Sequence, residues 1–571
     1  MNSPTDAYDL PVPFWRRKPD QVAAVAVFIL TVVLTVLSFP NWPTPEFAYA
    51  FAAPAIFWAY LRPSFRLYAW TMAAAQAVAW TIILAWLRHV SWGALLLLGP
   101  FTGLWVGTWY LAAWWAMPRF IGKAILLRLT AMLGLAGAWV VVEWTRTWFL
   151  SGFPWLPLAA SQWQRASILQ IAAYTGSGGV SFVLISMNIG FAAYLHRLVR
   201  EGPAADRRRE RGRFPTEPAP ELVEIRDWGL RRRSQEFFLA LFLLLACLSI
   251  HVQETFNRHP FTRPLGRVAF VQPDIPQDVK WDPSKGPGIV RTLEQSTLEA
   301  GTLHPDLILW PESCMPWPVK GDAGARTFVE SLAARAGAPL LMGSVAVEAA
   351  GAGAARERWF DAAFVVTPDL GLQPSYYAKR HLVPFGEYIP LRPVLGWIDK
   401  FVPIGPDFSR GPDAAPLVAS MRAGPTAFGP LICYEDLFPG LARDSVRAGS
   451  DVLVVLTNDA WYGEEAAAYQ HAAHSVLRAV ETRRPVLRCG NAGWSGWIDE
   501  FGGIRYVVTG GAGSVYTRAV RSLDVSRDER WVGRSTFYVD HGDWFVAACA
   551  ALALAAWALL RPIPVPGRED A

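Results

Sequence analysis

Apolar residues run long and nearly unbroken over the first 251 positions, and again close to the C-terminus. Between these regions they come in short runs cut by polar turns. Eight stretches approach or reach the roughly 20 apolar residues that cross a bilayer. They lie at approximately 21–39, 46–61, 67–87, 92–116, 124–149, 175–196, 235–251 and 544–560. From about residue 265 the runs shorten to "GRVAFVQ", "DLILWP", "PLLMGSVAV", "AAFVVTPD", "AFGPLICYED", "DVLVVLTND" and "RPVLRCG". Bounded by turn residues, these predict buried strands. "GARTFVESLAARAG" and "EEAAAYQHAAHSVLRAVETRR" carry helical periodicity. The alternation predicts an α/β layered domain with helices against sheets.

The division of the chain is therefore 1–251 as a membrane domain of seven spans, 252–543 as an extramembrane domain, and 544–571 as an eighth span with its tail. Basic residues orient it. Arg16, Arg17 and Lys18 precede the first span, Arg62 and Arg66 follow the second, and Arg119 and Lys123 follow the fourth. "DRRRERGR" and "RDWGLRRRS" lie between the sixth and seventh. All these loops fall on one side, expected to be the cytoplasm, while Arg88 and Arg165 are exceptions on the other. The far side, the periplasm of a bacterium with two membranes, would then hold 252–543. The first span lacks a following small-residue cleavage site and reads as retained. The arginine-rich stretch reads as a solvated topogenic loop, so no nucleic-acid partner is expected.

Composition agrees with a two-part chain. Of 571 residues, 52% are hydrophobic and only 18% charged, with 28 tryptophans and a mean hydropathy of +0.21. That is too apolar for an ordinary soluble enzyme and too charged for a bare helix bundle. The formal charge of +5 says little as a total. The cysteines, Cys247, Cys314, Cys433, Cys489 and Cys549, are odd in number and form no CxxC pair, against a disulfide framework or a zinc site.

Three polar residues stand where predicted strands end: Glu312 after "LILWP", Lys379 in "YYAKRHLVPFGEYIP", and Cys433 closing "FGPLIC". A free thiol has a pKa of about 8.5 and needs help to become a thiolate. A carboxylate can take its proton, and a lysine can stabilise charge on an attacked carbonyl. Spacing alone does not separate such a set from a packed cysteine and two surface charges.

"WPES", "KRHLVPFGEYIP" and "ICYEDLFP" resemble the Glu, Lys and Cys motifs of the nitrilase (carbon-nitrogen hydrolase) superfamily. Together with "SGFPWLPLAASQ", "VQPDIPQDVKWD" and "NDAWYG…QH…RAVETRRPVLR", they resemble the apolipoprotein N-acyltransferase family. The resemblance implies an eight-span membrane bundle with a nitrilase-like αββα sandwich inserted between the last two spans. It implies Cys433 as nucleophile, Glu312 as general base and Lys379 as oxyanion stabiliser. Glu387 matches the family's second glutamate, which orients the lysine, and Tyr434 and Glu435 match the residues after the nucleophile. Trp281, in "VKWD", matches an entrance tryptophan that bears on substrate binding; a packing aromatic is the other reading. The implied reaction is ping-pong acyl transfer. The donor would be a phospholipid, by resemblance phosphatidylethanolamine, and the acceptor the α-amine of a diacylglyceryl-cysteine on a lipoprotein. No cofactor and no metal are implied, and a monomer is expected in a bacterial inner membrane. A membrane amidase using water, or a binding protein that kept the fold, are the rival readings.

Other features are weaker. Cys314 takes a position where the family usually has a small residue. His471 and His474, in "HAAH", lack a partner at ligand spacing and make a poor metal site. "TGSGGVS" (175–181) opens a membrane segment and suggests close helix packing, not a phosphate loop. Glu143 and Arg146 lie one turn apart near the end of the fifth span, either paired or functional. "GNAGWSGWIDE" departs from the family at Trp494 and Trp497, which puts the acceptor pocket in question.

Overall fold

The computed structural model describes residues 19–211, 234–280, 282–349, 357–397 and 407–561. Apolar helices form the N-terminal part: α1 (Pro19–Ser38), α2 (Ala53–Tyr60), α3 (Phe65–Ile83), α4 (Trp92–Phe120), α5 (Ile125–Thr145), α6 (Ser177–Arg211) and α7 (Gln235–Arg258). Among the described residues, five helices are long and apolar enough to cross a membrane: α1, α4, α5, α6 over Ser177–Val199, and α7. The apolar stretch expected as one span at 46–61 differs. It is a 3₁₀ turn, Pro45–Tyr49, followed by the eight-residue α2. At about 1.5 Å per residue, eight residues reach roughly 12 Å, far less than a bilayer core. Pro45 and Pro54 each sit in the first turn of their piece. A ring without an N–H starts a helix but does not continue one, so the run breaks there. The basic stretch after the sixth span is also partly helical, since α6 runs on to Arg211; residues 212–233 lie outside the described residues.

From Thr262 to Asp528 the chain forms two six-stranded sheets. The first has the order β12-β1-β2-β3-β4-β5 and the second β11-β10-β9-β8-β7-β6. Their strands are β1 (Thr262–Gln272), β2 (Leu307–Leu309), β3 (Leu340–Glu348), β4 (Arg358–Thr367), β5 (Gly371–Ala378), β6 (Leu417–Met421), β7 (Gly424–Ile432), β8 (Val452–Thr457), β9 (Val486–Gly490), β10 (Gly496–Ile498), β11 (Ile504–Val507) and β12 (Ala519–Asp528). Parallel triplets lie at the centre of each sheet, β1-β2-β3 and β7-β8-β9. Their near-continuous apolar sequences follow from burial on both faces. Phe270, Leu309 and Leu341 meet Phe428, Ile432 and Leu456 between the sheets.

Helices α8 (Gly286–Thr302) and α9 (Ala323–Ala336) cover the outer face of the first sheet. Helices α10 (Pro439–Arg447) and α11 (Ala467–Thr482) cover the second. The layering is α-β-β-α, as the resemblance implies. One core joins α11 to the membrane helices, so the outer layer of the second sheet is also the contact with the N-terminal part. The last helix, α12 (Trp544–Leu560), returns to pack along α5. There a side chain at Gly137 would meet the Cys549 carbonyl oxygen at 2.7 Å, which only glycine avoids.

Candidate active site

β7 delivers Cys433. The strand ends at Ile432, and Cys433 takes φ +51° as it opens a 3₁₀ turn, Cys433–Leu437. A side chain is held off the strand axis in this way, at a backbone angle that costs about 1 kcal/mol or more for a residue other than glycine. Glu312 lies three residues past β2, and Lys379 directly follows β5. All three are buried, at 5%, 7% and 0% exposure.

Lys379 is the electrostatic centre. Its Nζ donates to Glu312 Oε1 at 3.2 Å, Glu387 Oε1 at 2.5 Å and Asp361 Oδ2 at 3.5 Å. Burial opposes its charge, yet Glu387, Glu312 and Asp361 outweigh that and hold its pKa well above the ordinary range. The three carboxylates lie within 4.8 Å of one another, and an ammonium sits among them. Glu387 is itself fixed by the Val383 N–H at 2.9 Å.

The thiol of Cys433 is pushed well up, first by burial and then by the charge of Glu312, with Lys379 opposing. At rest it is a thiol and requires a base. Glu312 gives Oε1 to Lys379, while its Oε2 is buried without a hydrogen-bond partner among the described residues. An unpartnered buried carboxylate oxygen is costly unless it serves a proton or a substrate.

Glu435 ties the two strand ends together. Its Oε1 accepts from the N–H groups of Arg380 (2.7 Å) and His381 (3.1 Å), and its Oε2 from Ile432 N–H and the Tyr377 hydroxyl, both 2.8 Å. It fixes Cys433 relative to Lys379 without joining their cluster. Tyr434 turns the other way, and its hydroxyl donates to Gly152 O at 2.8 Å, in the segment between α5 and α6. Trp281 lies outside the described residues.

Asp361 escaped the sequence reading. It faces Val345 across β3 and β4, accepts from Ser313 Oγ at 2.9 Å, and its carboxyl is pushed up to about 7 by burial and by Glu312. A lone acid in "WFDAAFVV" was the available signal. Tyr462 also belongs here. Its hydroxyl feels Cys433, Asp459, Glu312 and Lys379, while its ring packs on Trp86 at 4.5 Å and Trp155 at 6.0 Å. These rings join the site to the N-terminal part.

The two histidines of α11 face different partners. His471 lies between Asp436 and Asp459, at 2.9 Å from each, and its Nε2 lies 3.1 Å from the Cys433 carbonyl oxygen. His474 Nε2 accepts from Leu156 N–H at 3.2 Å. Cys314 Sγ donates to Gly343 O at 3.4 Å, and the residue is a buried packing group. Trp494 is buried with the α11 core and Trp497 packs against the inter-sheet core, so both rings serve packing. Glu143 and Arg146 do not hydrogen-bond each other. Glu143 accepts from Leu158 N–H at 2.6 Å, and Arg146 donates to Phe153 O at 3.3 Å and Trp155 O at 2.5 Å, so both brace the segment after α5.

Residues 267–517 match the model of the carbon-nitrogen hydrolase family, and residues 32–190 match that of the apolipoprotein N-acyltransferase N-terminal domain. A Geobacter metallireducens protein named apolipoprotein N-acyltransferase is 33% identical over 536 residues, covering 92% of each chain. One from Methylococcus capsulatus with the same name is 34% identical over 399 residues, covering 68% of each. Among solved structures, an amidase from Nesterenkonia sp. aligns at 16% identity with a TM-score of 0.35, over 50% of this chain and 96% of that one. With both parts matched in order and a relative aligned over nearly the whole length, the chain belongs to the apolipoprotein N-acyltransferase family.

Proposed function

We propose that this protein moves a fatty acyl chain from a phospholipid to the α-amine of an S-diacylglyceryl-cysteine at a lipoprotein N-terminus, the last step of lipoprotein maturation. Glu312 takes the proton of Cys433, and the thiolate attacks the ester carbonyl. Lys379 and a backbone N–H stabilise the oxyanion. The C–O bond breaks, the lysophospholipid leaves with the proton, and an acyl-thioester remains. The acceptor amine attacks the thioester, loses its proton to Glu312, and leaves as the amide while Cys433 regains its thiol. Phosphatidylethanolamine is the proposed donor, and no cofactor is required. Trp281 is proposed at the entrance.

The observation that carries this reading is the meeting of Glu312, Lys379 and Cys433 in one buried site whose aromatic wall, Tyr462 with Trp86 and Trp155, belongs to the joint with the apolar helices. A site in that position suits two lipid substrates. Incubation with phospholipid alone, followed by intact-mass measurement, tests it. The expected result is a hydroxylamine-labile adduct of one acyl chain in the wild type and none in Cys433→Ser. Release of free fatty acid in place of N-acylated lipoprotein would make the enzyme a hydrolase.

The arrangement in the membrane completes the proposal: eight apolar segments, the second crossing as the broken pair Pro45–Tyr49 and Ala53–Tyr60 rather than as one helix, with 1–251 and the helix Trp544–Leu560 forming the membrane part and 252–543 periplasmic on the inner membrane of a bacterium, working as a monomer. The distribution of basic residues supports this side for the catalytic domain.

A further inference from the structure

Past the turn that carries Cys433 lies a cavity of about 330 Å³ that the proposed reaction does not use. Its walls come from the end of α5, the starts of α6 and α12, and the first turn of α10; none of Glu312, Lys379 and Cys433 lines it. The three apolar helices meet the extramembrane domain at these ends. Ser177 N–H at the head of α6 donates to Glu481 on α11 at 2.9 Å, and the Trp144 indole on α5 to Asp543, just before α12, at 2.9 Å. The cavity therefore stands at the level where lipid head groups would lie. Exposed rings mark the same level: Trp148, packed on Trp144, and Trp544, next to Asp543. Such rings favour the membrane–water boundary.

Six acidic or arginine side chains line the cavity, and five have partners. Arg478 donates to Glu481 and to the carbonyls of Asp436 and Leu437. Arg146 donates to the Phe153 and Trp155 carbonyls, and Glu143 accepts from Leu158 N–H. Asp444 accepts from Arg380 at 3.2 Å and Asp543 from the Trp144 indole, each through Oδ2, so each keeps an oxygen to spare. The sixth is Arg443. Among the described residues its guanidinium makes neither a hydrogen bond nor an ion pair, and its Nε is closed off from water. It is nonetheless held in place. Its Cζ lies 5.3 Å from the centre of the Tyr538 ring, and Gly542, at φ +61°, lies against Nη2, where any side chain would strike it. A fixed guanidinium with unused donors matches the oxygens of a phosphate. The carboxylates on the same walls weigh against a bare anion and suit an amine beside it. We infer that this cavity is a second lipid site, outside the catalytic one, for the head group of a phospholipid: its phosphodiester on Arg443 and its amine toward Asp444 and Asp543.

The probe is a dialkyl ether analogue of phosphatidylethanolamine with a diazirine near the glycerol, which cannot acylate Cys433. It is added to the full chain in detergent, and the crosslinked peptides are identified by mass. The wild type should be labelled within 437–447 and 537–546. Arg443→Gln should lose that labelling about tenfold, the low end of what a hydrogen bond to a charged group is worth. Labelling around Cys433 should persist. Gly440→Glu is the second variant, decisive if Arg443→Gln does not accumulate. A Cβ at Gly440 meets open space, so a carboxylate enters the first turn of α10 without a clash. It should cut labelling as far, and Gly440→Gln should not. No labelling of these peptides in the wild type, or undiminished labelling in Arg443→Gln or Gly440→Glu, overturns the proposal. Equal labelling by a dialkylglycerol probe without a head group, or by the phosphoglycerol analogue without an amine, overturns it as well. Displacement by an equimolar amount of water-soluble glycerophosphoethanolamine would make this a site for a free phosphate ester and sink the lipid assignment.

Discussion

On the proposed mechanism Glu312 takes the proton of Cys433, whose thiolate burial disfavours. Glu312→Gln keeps shape and Lys379 contact but cannot act as base. The expected loss in the rate of acyl-enzyme formation is about 10²- to 10⁴-fold, the usual worth of a positioned base. Single-turnover mass measurement checks it, and a loss below tenfold would place the base elsewhere. Glu312, Lys379 and Cys433 were legible because each closes an apolar run inside a recognisable motif. Asp361 was not. One acid amid strand residues reads as the solvent side of an alternating pattern, but β4 is buried from Phe360 to Val366.

At the scale of elements, the turn after β7 is braced by three neighbours. Asp436 in the turn, Asp459 after β8, Arg488 on β9 and His471 on α11 form a fully buried set of two anions and two cations. The same imidazole lies within hydrogen-bond distance of the Cys433 carbonyl oxygen. Burial and Arg488 work against its proton, but Asp436 and Asp459 hold its pKa up at about 9, against 6.5 for a free histidine. Its stabilising contribution is therefore complete below about pH 6.5 and is lost as pH rises through about 9. Asp436 and Asp459 have depressed pKa values, so their share is present above the ordinary carboxylate range and is lost only in stronger acid. Thermal unfolding midpoints should fall between pH 6.5 and 9 in the wild type. The slope should be shallower in His471→Gln; equal slopes would mean the histidine is neutral in the fold. Strands made of short apolar runs were readable from sequence, β2 among them, whereas β5, β6 and β12 carry exposed or polar positions that break the run, and β10 and β11, of three and four residues, are too short to show a period.

For the whole molecule, Gln470 makes four of the hydrogen bonds between the two parts. Gln470 Oε1 accepts from the indole N–H groups of Trp86 (3.0 Å) and Trp155 (2.8 Å), and its Nε2 donates to Pro40 O and Ile83 O, both 3.0 Å. Gln470→Leu would leave two indoles and two carbonyls unpaired in a dry joint, at roughly 1–3 kcal/mol for each group that stays unsatisfied. The expected result is a lower unfolding temperature in detergent and faster proteolysis between the parts; unchanged values for both would argue against a dry joint. Orientation has its own check. All five native cysteines are buried. A membrane-impermeant maleimide, applied to cells with a permeabilised outer membrane, should label Ser331→Cys on α9 and spare Lys123→Cys between α4 and α5. The reverse would invert the topology. Sequence predicted which stretches are apolar, but not that 46–61 is broken by its prolines, nor that a glutamine on a periodic helix serves the joint. Hydropathy reports how greasy a segment is, not what it touches.

Every residue of α11 except Tyr469 is buried, since one side lies on the second sheet and the other on the membrane part. In soluble enzymes an outer helix keeps a wet face; this one has none. Cutting out residues 262–541 to obtain a convenient water-soluble reagent would strip one wall from the helix that carries His471 and Gln470. Such a fragment should elute in the void volume on gel filtration and leave Cys433 unacylated. Inhibitor screening therefore has to work with the full-length protein, because the scaffold around Cys433 is finished only by the apolar N-terminal part.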